Sequence, residues 1–253
     1  MTTLALRLGG PLQSWGARAR FQARRTEHQP TKSGVIGLLA AALGRPRDDS
    51  IEDLMALNFG VRIDQPGRVI RDFHTVSSLF DEKGRYNPSG GRLPVARGGY
   101  RQPETSTQTT ERYYLADAVF VAALEGEADL LAQLGGALTS PVFPPFLGRR
   151  SCPPAGPVSL GVRPGSLLEV LGSIEWLASP WARRDAEQRV SLEVIIDDAA
   201  GDREADDAVQ SFDPIWRSYS SRRTSHHFVE VPNPDTLSVT NGLDHDPMGL
   251  LEG

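Results

Sequence analysis

The spacing of hydrophobic and polar positions changes several times along these 253 residues. Leu4, Leu6 and Leu8 alternate with Ala5 and Arg7, which predicts a strand over Thr3–Leu8, closed by Gly9-Gly10-Pro11. From Gln29 to Gly44 the period lengthens. Val35, Ile36, Leu38, Leu39, Ala42 and Leu43 form a wide apolar stripe, with Ser33 or Thr31 to cap the helix and Gly44 to stop it. Ile51–Leu57 reads as a short helical turn. Phe59–Ile63 and Val69–Val76 read as two strands, and the turn signal Asp64-Gln65-Pro66-Gly67 between them predicts a hairpin. Tyr113–Leu124 carries the strongest strand signal in the chain, followed by an amphipathic helix over Glu127–Leu138. Val158–Val162, Leu192–Ile196 and Arg222–Val231 read as further strands, Asp197–Asp207 as an acidic turn or linker, and 232–253 as an acidic, Pro-containing tail.

The stretch 77–111 follows none of these periods. It holds five glycines, three prolines, Tyr86, Tyr100 and four arginines, and it predicts a protruding finger that orders on a partner, or plain disorder. The order β, α, β, β, finger, β, α, then a short extended piece is close to a βαββαβ unit. The expected class is therefore α+β: a ferredoxin-like, RNA-recognition-motif-like domain over 1–155 with a thumb-like insertion at 77–111, and a smaller β-rich C-terminal region over 156–253.

Charge sharpens this picture. Residues 1–112 hold 17 Lys and Arg against 11 Asp and Glu, residues 113–190 hold 6 against 8, and residues 191–253 hold 4 against 13. A basic front half in a chain of net charge −5 points to a local anion site, not to a protein basic throughout. Nearly all the cations are Arg, which suits phosphate oxygens and base stacking, although a GC-rich genome gives the same bias. Arg18, Arg20, Arg24 and Arg25 interleave with Trp15 and Phe21, the mixture of cation and aromatic face that single-stranded nucleic acid uses; a packed Trp among solvated arginines is the alternative. Lys32 beside a helix N-terminus is a second anion candidate. It does not belong to a nucleotide-binding P-loop, because residues 20–31 contain no Gly to wrap a phosphate. No apolar run approaches the ~18 residues of a membrane span, and Met1-Thr2-Thr3-Leu4 does not open a signal peptide. The lone Cys152 excludes an internal disulfide and makes the cytoplasm the default compartment. No metal site is expected: His226 and His227 are adjacent and so point to opposite faces of a strand, and Asp244-His245-Asp246 lacks a spaced partner.

Five stretches, in order and spacing, resemble the CasD family, the RAMP-superfamily subunit of type I-E CRISPR Cascade complexes. They are Leu6–Gly16 (LRLGGPLQSWG), Pro30–Gly34 (PTKSG) with Gly37-Leu38-Leu39, Arg71–Val76 (RDFHTV), Tyr113–Ala118 (YYLADA) and Pro145–Pro153 (PFLGRRSCP). The resemblance covers roughly 1–155. It implies a subunit that holds the 5′ handle of the CRISPR RNA, touches the terminal backbone subunit and the large PAM-reading subunit, meets target DNA only through the complex, needs no cofactor and cuts nothing.

The candidate RNA-binding residues follow from both readings. Gln13 and Trp15 sit at a strand end where a base could be bonded or stacked, with Arg18, Arg20 and Arg24 beyond them. Lys32 and Ser33 would meet a handle phosphate. Arg71 and His74 lie an odd number of residues apart, so only one of them faces the RNA, Arg71 being favoured. Arg97, Arg101 and Arg112 occupy or flank the finger. Gly148, Arg149, Arg150 and Ser151 resemble the glycine-rich loop of RAMP proteins, where a close backbone and adjacent guanidiniums clasp RNA. The competing reading is a metal-independent endoribonuclease, with His28, His74, Tyr113 and Tyr114 as candidate acid and base and Lys32 or an Arg to steady the charge. Cys152 reads as a packing residue.

Overall fold

The computed structural model describes residues 1–16, 23–76, 78–80, 86–91, 108–213 and 218–235. In chain order the elements are β1 (Thr2–Gln13), β2 (Ala23–Arg24), α1 (Lys32–Leu43), α2 (Glu52–Met55), β3 (Asn58–Gln65), β4 (Arg68–Val76), β5 (Ser78–Phe80), β6 (Tyr86–Gly91), β7 (Gln108–Gly126), α3 (Ala128–Thr139), β8 (Ser159–Pro164), α4 (Leu167–Ser173), α5 (Pro180–Arg183), β9 (Arg189–Asp197), β10 (Arg203–Ser211) and β11 (Ser218–Pro232). Most of the predicted finger (77–111) and of the predicted tail (232–253) lies outside the described residues.

β7, 19 residues long, is the spine. Its C-terminal half pairs antiparallel with β1 on one edge and with β3 on the other, while its N-terminal half takes β4 and, on the opposite edge, the two residues of β2. The main sheet runs β10-β11-β9-β3-β7-β1-β8. The strands after residue 156 thus form no sheet of their own: β8 adds to the edge of β1, and β9 adds to the edge of β3. The period of two decides how the sheet is covered. Leu4, Leu6, Leu8, Phe120, Ala122 and Leu124 point to the layer of α1 and α3, and the intervening Ala5, Val121 and Ala123 point to α4 on the other face.

Several local expectations are corrected. Gly9-Gly10-Pro11 does not end β1, which continues to Gln13. The N–H of Arg7 and the carbonyl of Gly9 bond to Val158 and Ala155, away from β7; Pro11 shares their parity, so its missing donor costs the β1–β7 ladder nothing. The segment 64–67 does not fold β3 and β4 into a hairpin. It carries the chain from one half of β7 to the other, with Gly67 at φ +71° against the Ala116 carbonyl and Gln65 Nε2 donating to the Asp117 carbonyl at 2.5 Å. A strand as long as β7 offers a ladder to both segments, and that replaces the pairing expected from the turn. Thr31, not Ser33, caps α1, its Oγ1 accepting from the Gly34 N–H at 3.2 Å, while Gly44 closes the helix in the left-handed region at φ +78°. Half of the acidic linker over 197–207 is strand β10, and α4 and α5 had no clear signal in the sequence.

α4 is held by a buried ion pair. Arg62 on β3, with no exposed surface, bonds Asp64 through two nitrogens at 2.7 and 2.9 Å. The same guanidinium donates to the carbonyls of Leu171, Ile174 and Glu175 at and just past the C-terminal end of α4. Asp64 accepts the Leu177 N–H at 2.7 Å, and its carbonyl accepts Trp176 Nε1 at 2.8 Å. A cation at a helix C-terminus satisfies carbonyls that the helix itself leaves open.

Candidate nucleic-acid interface

The end of β1 makes an interior joint. Gln13 Nε2 donates to the Leu8 and Ala118 carbonyls at 3.0 and 2.7 Å, and Gln13 Oε1 accepts Trp15 Nε1 at 2.9 Å. Trp15 is fully buried, its ring against Gly34 of α1 and Gly148 of the loop after α3. A Cβ at Gly34 would lie 2.7 Å from the ring, and one at Gly148 would lie 2.0 Å from the Ser14 carbonyl, at a φ of +79°. The glycines of the helix start and of the loop therefore allow the backbone to close over an indole. The polar atoms of the Gln13 amide, expected to read a base, are thus committed to internal partners, and the Trp15 indole, expected to stack on one, is buried.

Lys32 and Ser33, expected to meet a phosphate, also have partners within the chain. Lys32 Nζ meets Asp197 Oδ2 at 2.9 Å, and the Lys32 N–H donates to Asp207 Oδ2 at 2.7 Å, so an internal carboxylate occupies the anion-attracting end of α1. Arg222 on β11 completes the cluster. Its guanidinium bonds Asp207 at 2.6 and 3.1 Å, bonds Asp197, and lies over the Phe59 ring at 5.3 Å. Burial opposes its charge, but the bonds and fields of the two carboxylates outweigh that and raise its pKa. Ser33 is buried beside Thr31. The cluster ties α1 to the C-terminal strands. Its acidic members fall in the segment of greatest negative charge, which sequence alone could not pair with Lys32.

The remaining candidates gather around the N-terminal half of β7. Arg149 Nη1 and Nη2 donate to the carbonyls of Tyr113 and Arg24 at 3.3 and 2.9 Å, and the guanidinium sits 4.9 Å from the centroid of the buried Tyr114 ring. It binds β7 to β2, while Arg150 and Ser151 beside it are exposed. The loop is fixed at both ends: Ser14 N donates to the Leu147 carbonyl, and Leu147 N to the Cys152 carbonyl at 2.7 Å. Arg24 is exposed on β2 and registers with Arg112 on β7, which registers with Asp72 on β4. Arg112 Nε is buried without a hydrogen-bond partner among the described residues. His74 pairs with Asp72 at 2.5 Å on one face of β4, and Arg71 faces Glu111 at 3.5 Å on the other. The described residues thus bring Arg24, Arg112, Arg149, Arg150 and Ser151 into one region. Arg18, Arg20, Arg97 and Arg101, with Phe21, lie outside the described residues.

The groups considered for acid–base chemistry are dispersed. Register places Tyr113 on the face of Arg71, opposite His74. The Tyr113 hydroxyl donates to Glu111 at 3.1 Å, Tyr114 is buried, and Lys32 is paired with Asp197. Among the described residues no three His, Cys, Asp or Glu side chains converge as a metal site. His226 bonds Glu193 at 2.6 Å, and His227 bonds Ser225 at 2.9 Å. Cys152 is buried, which pushes its thiol pKa up. No described helix is long and apolar enough to cross a membrane.

The profile of the CRISPR-associated protein family (Cas_Cas5) matches residues 3–230, from β1 through nearly all of β11. The chain belongs to this family. CRISPR system Cascade subunit CasD of Escherichia coli (strain K12) is 38% identical over 174 residues, which are 62% of this chain and 70% of that protein. A chain of a CRISPR RNA-guided surveillance complex superposes with a TM-score of 0.76 at 34% identity, covering 91% of each chain. A crystal structure of a Cas protein superposes at 0.67, also 34% identical, over 91% of this chain and 98% of that one. This family member is therefore CasD-like, with the mixed α and β architecture of its neighbours, and the joint of β1, α1 and the Gly148 loop lies wholly within the matched region.

Proposed function

We propose that this Cas5-family chain is the non-catalytic CRISPR RNA-binding subunit of a type I-E Cascade surveillance complex. In this role it caps the 5′ handle of the guide, contacts the terminal backbone subunit and the large PAM-reading subunit, and serves antiviral defence in the cytoplasm. Target DNA is met only through the assembled complex. The observation that carries this reading is the joint likeness to CasD in sequence and to a chain of an RNA-guided complex in fold. The arginine-lined region supports it. In this reading Arg24, Arg112 and Arg150 neutralise handle phosphates beside the exposed Ser151, while Gly148 and Arg149 hold the loop in position. Arg71 extends the same contact from its face of β4, with His74 on the opposite face as the alternative, and the arginines at 18, 20, 97 and 101 are proposed ligands of the same RNA. Gln13, Trp15, Lys32 and Ser33 act as framework beneath it.

The test is binding and cleavage of a CRISPR repeat RNA in EDTA by the purified chain, with and without the other subunits. Handle-dependent binding without cleavage is the expected result. Metal-independent cleavage at the base of the repeat hairpin would install the endoribonuclease reading instead, with His74 and Tyr113 as the first residues to replace.

A further inference from the structure

Stacking needs an aromatic face in contact with solvent, and Trp15 does not provide one. Phe73 does. It is 56% exposed on β4, and every side chain on its face of that strand, Val69, Arg71, Phe73 and Thr75, is exposed. Across the ladder Arg71 registers with Tyr113 and Phe73 with Glu111, so two aromatic rings and one guanidinium share one strip of the β4–β7 ladder. Arg71 is 60% exposed and, among the described residues, is held only by the 3.5 Å contact to Glu111; the Tyr113 hydroxyl is turned to the same carboxylate.

We propose that this strip is a stacking platform for unpaired bases of single-stranded RNA, with Phe73 as its principal residue. The proposal rests on the RNA-binding reading above and deepens it. Charge selects the occupant. The ladder and the segments bound beside it carry Arg24, Arg25, Arg68, Arg71, Arg112 and Arg150 against Glu27, Asp72 and Glu111, a field that favours a polyanion. Glu111, at the centre of the strip, disfavours a phosphate there. The contact on the strip is therefore through base faces on Phe73 and the Arg71 plane, while the backbone runs along the arginines at the margins. Such stacking tolerates any base, so Phe73 contributes affinity and positioning, not sequence choice.

Two measurements test it. The first is ultraviolet cross-linking of the unmodified 253-residue chain, alone and in the assembled complex, to repeat RNA, with mass spectrometry of the peptide containing Phe73. A nucleotide adduct on Phe73 is expected. The second is equilibrium binding of the Phe73→Leu variant, which keeps apolar bulk but loses the π face. Binding roughly tenfold weaker than wild type, with an unchanged melting temperature, is expected for one lost base–aromatic stack. Wild-type affinity together with no adduct overturns the platform and leaves the RNA-binding reading standing. Normal RNA affinity with impaired assembly also overturns it, by making the strip a protein contact. No RNA binding by the wild-type chain, alone or assembled, removes both readings.

Discussion

Replacing Lys32 by Met separates two roles for that residue, and replacing Arg222 by Met sets the scale. Lys32→Met removes one contact to Asp197, which keeps its bonds from Arg222 and from the Phe59 N–H at 3.0 Å. The site is only partly exposed, so the loss should be that of one hydrogen bond to a charged group, about 1.5–3 kcal/mol. Arg222→Met strips the side-chain partner from Asp207, whose own side chain is 6% exposed, and removes a second partner from Asp197. Breaking a buried pair from one side costs about 3–5 kcal/mol. For a chain of this size each kcal/mol moves the melting temperature by roughly 2–4 °C, so the two variants should fall by about 3–12 and about 6–20 °C. The assay is a thermal melt paired with repeat-RNA affinity measured across a salt series. Lys32→Met should lose stability while the slope of log affinity against log salt stays as in wild type. A phosphate contact behaves in the opposite way: stability is kept and the slope falls by about 1. That second outcome would refute the framework role of Lys32 and restore it as an RNA ligand.

Four further outcomes are expected. Gly148→Ala forces a Cβ to within 2.0 Å of the Ser14 carbonyl at a positive φ, and should destabilise by at least about 1–3 kcal/mol in a thermal melt. Arg150→Ala should reduce the salt slope of RNA binding by about 1 with no change in melting temperature, whereas Arg149→Ala should lower the melting temperature first, because its guanidinium joins β2 to β7. Arg62→Met should cost about 3–5 kcal/mol by urea melt, since Asp64 is left buried and the carbonyls at the end of α4 lose their donor. Cys152 should resist iodoacetamide in the native protein and react on unfolding; because burial raises its folded pKa, the thiol should also cost stability as pH climbs past its unfolded value of about 8.5, seen as a falling melting temperature.

The one-dimensional pattern was enough for elements whose signal is local. The stripe from Val35 to Leu43, bounded by Thr31 and Gly44, determined α1. The alternation of Leu4, Leu6 and Leu8 determined which side of β1 meets the helices, and the run after Tyr113 located the spine. The five short stretches were likewise enough to point to the family. Pairing was a different matter, because a ladder is a choice among distant partners. Only the folded chain shows that β7 is long enough to take both β3 and β4, that β9 extends the sheet from β3, and that an acidic segment becomes strand β10. The same limit governs the site. A lysine at a helix start and a tryptophan among arginines carry the sequence signature of RNA contact, but the tertiary structure brings Asp197 and Asp207 to the lysine and closes Gly34 and Gly148 over the indole. It leaves Phe73, which no periodicity singled out, with its ring in solvent. Charge and aromaticity are properties of residues. Whether they are available to a ligand depends on what the rest of the chain places beside them, and sequence separation holds no record of that.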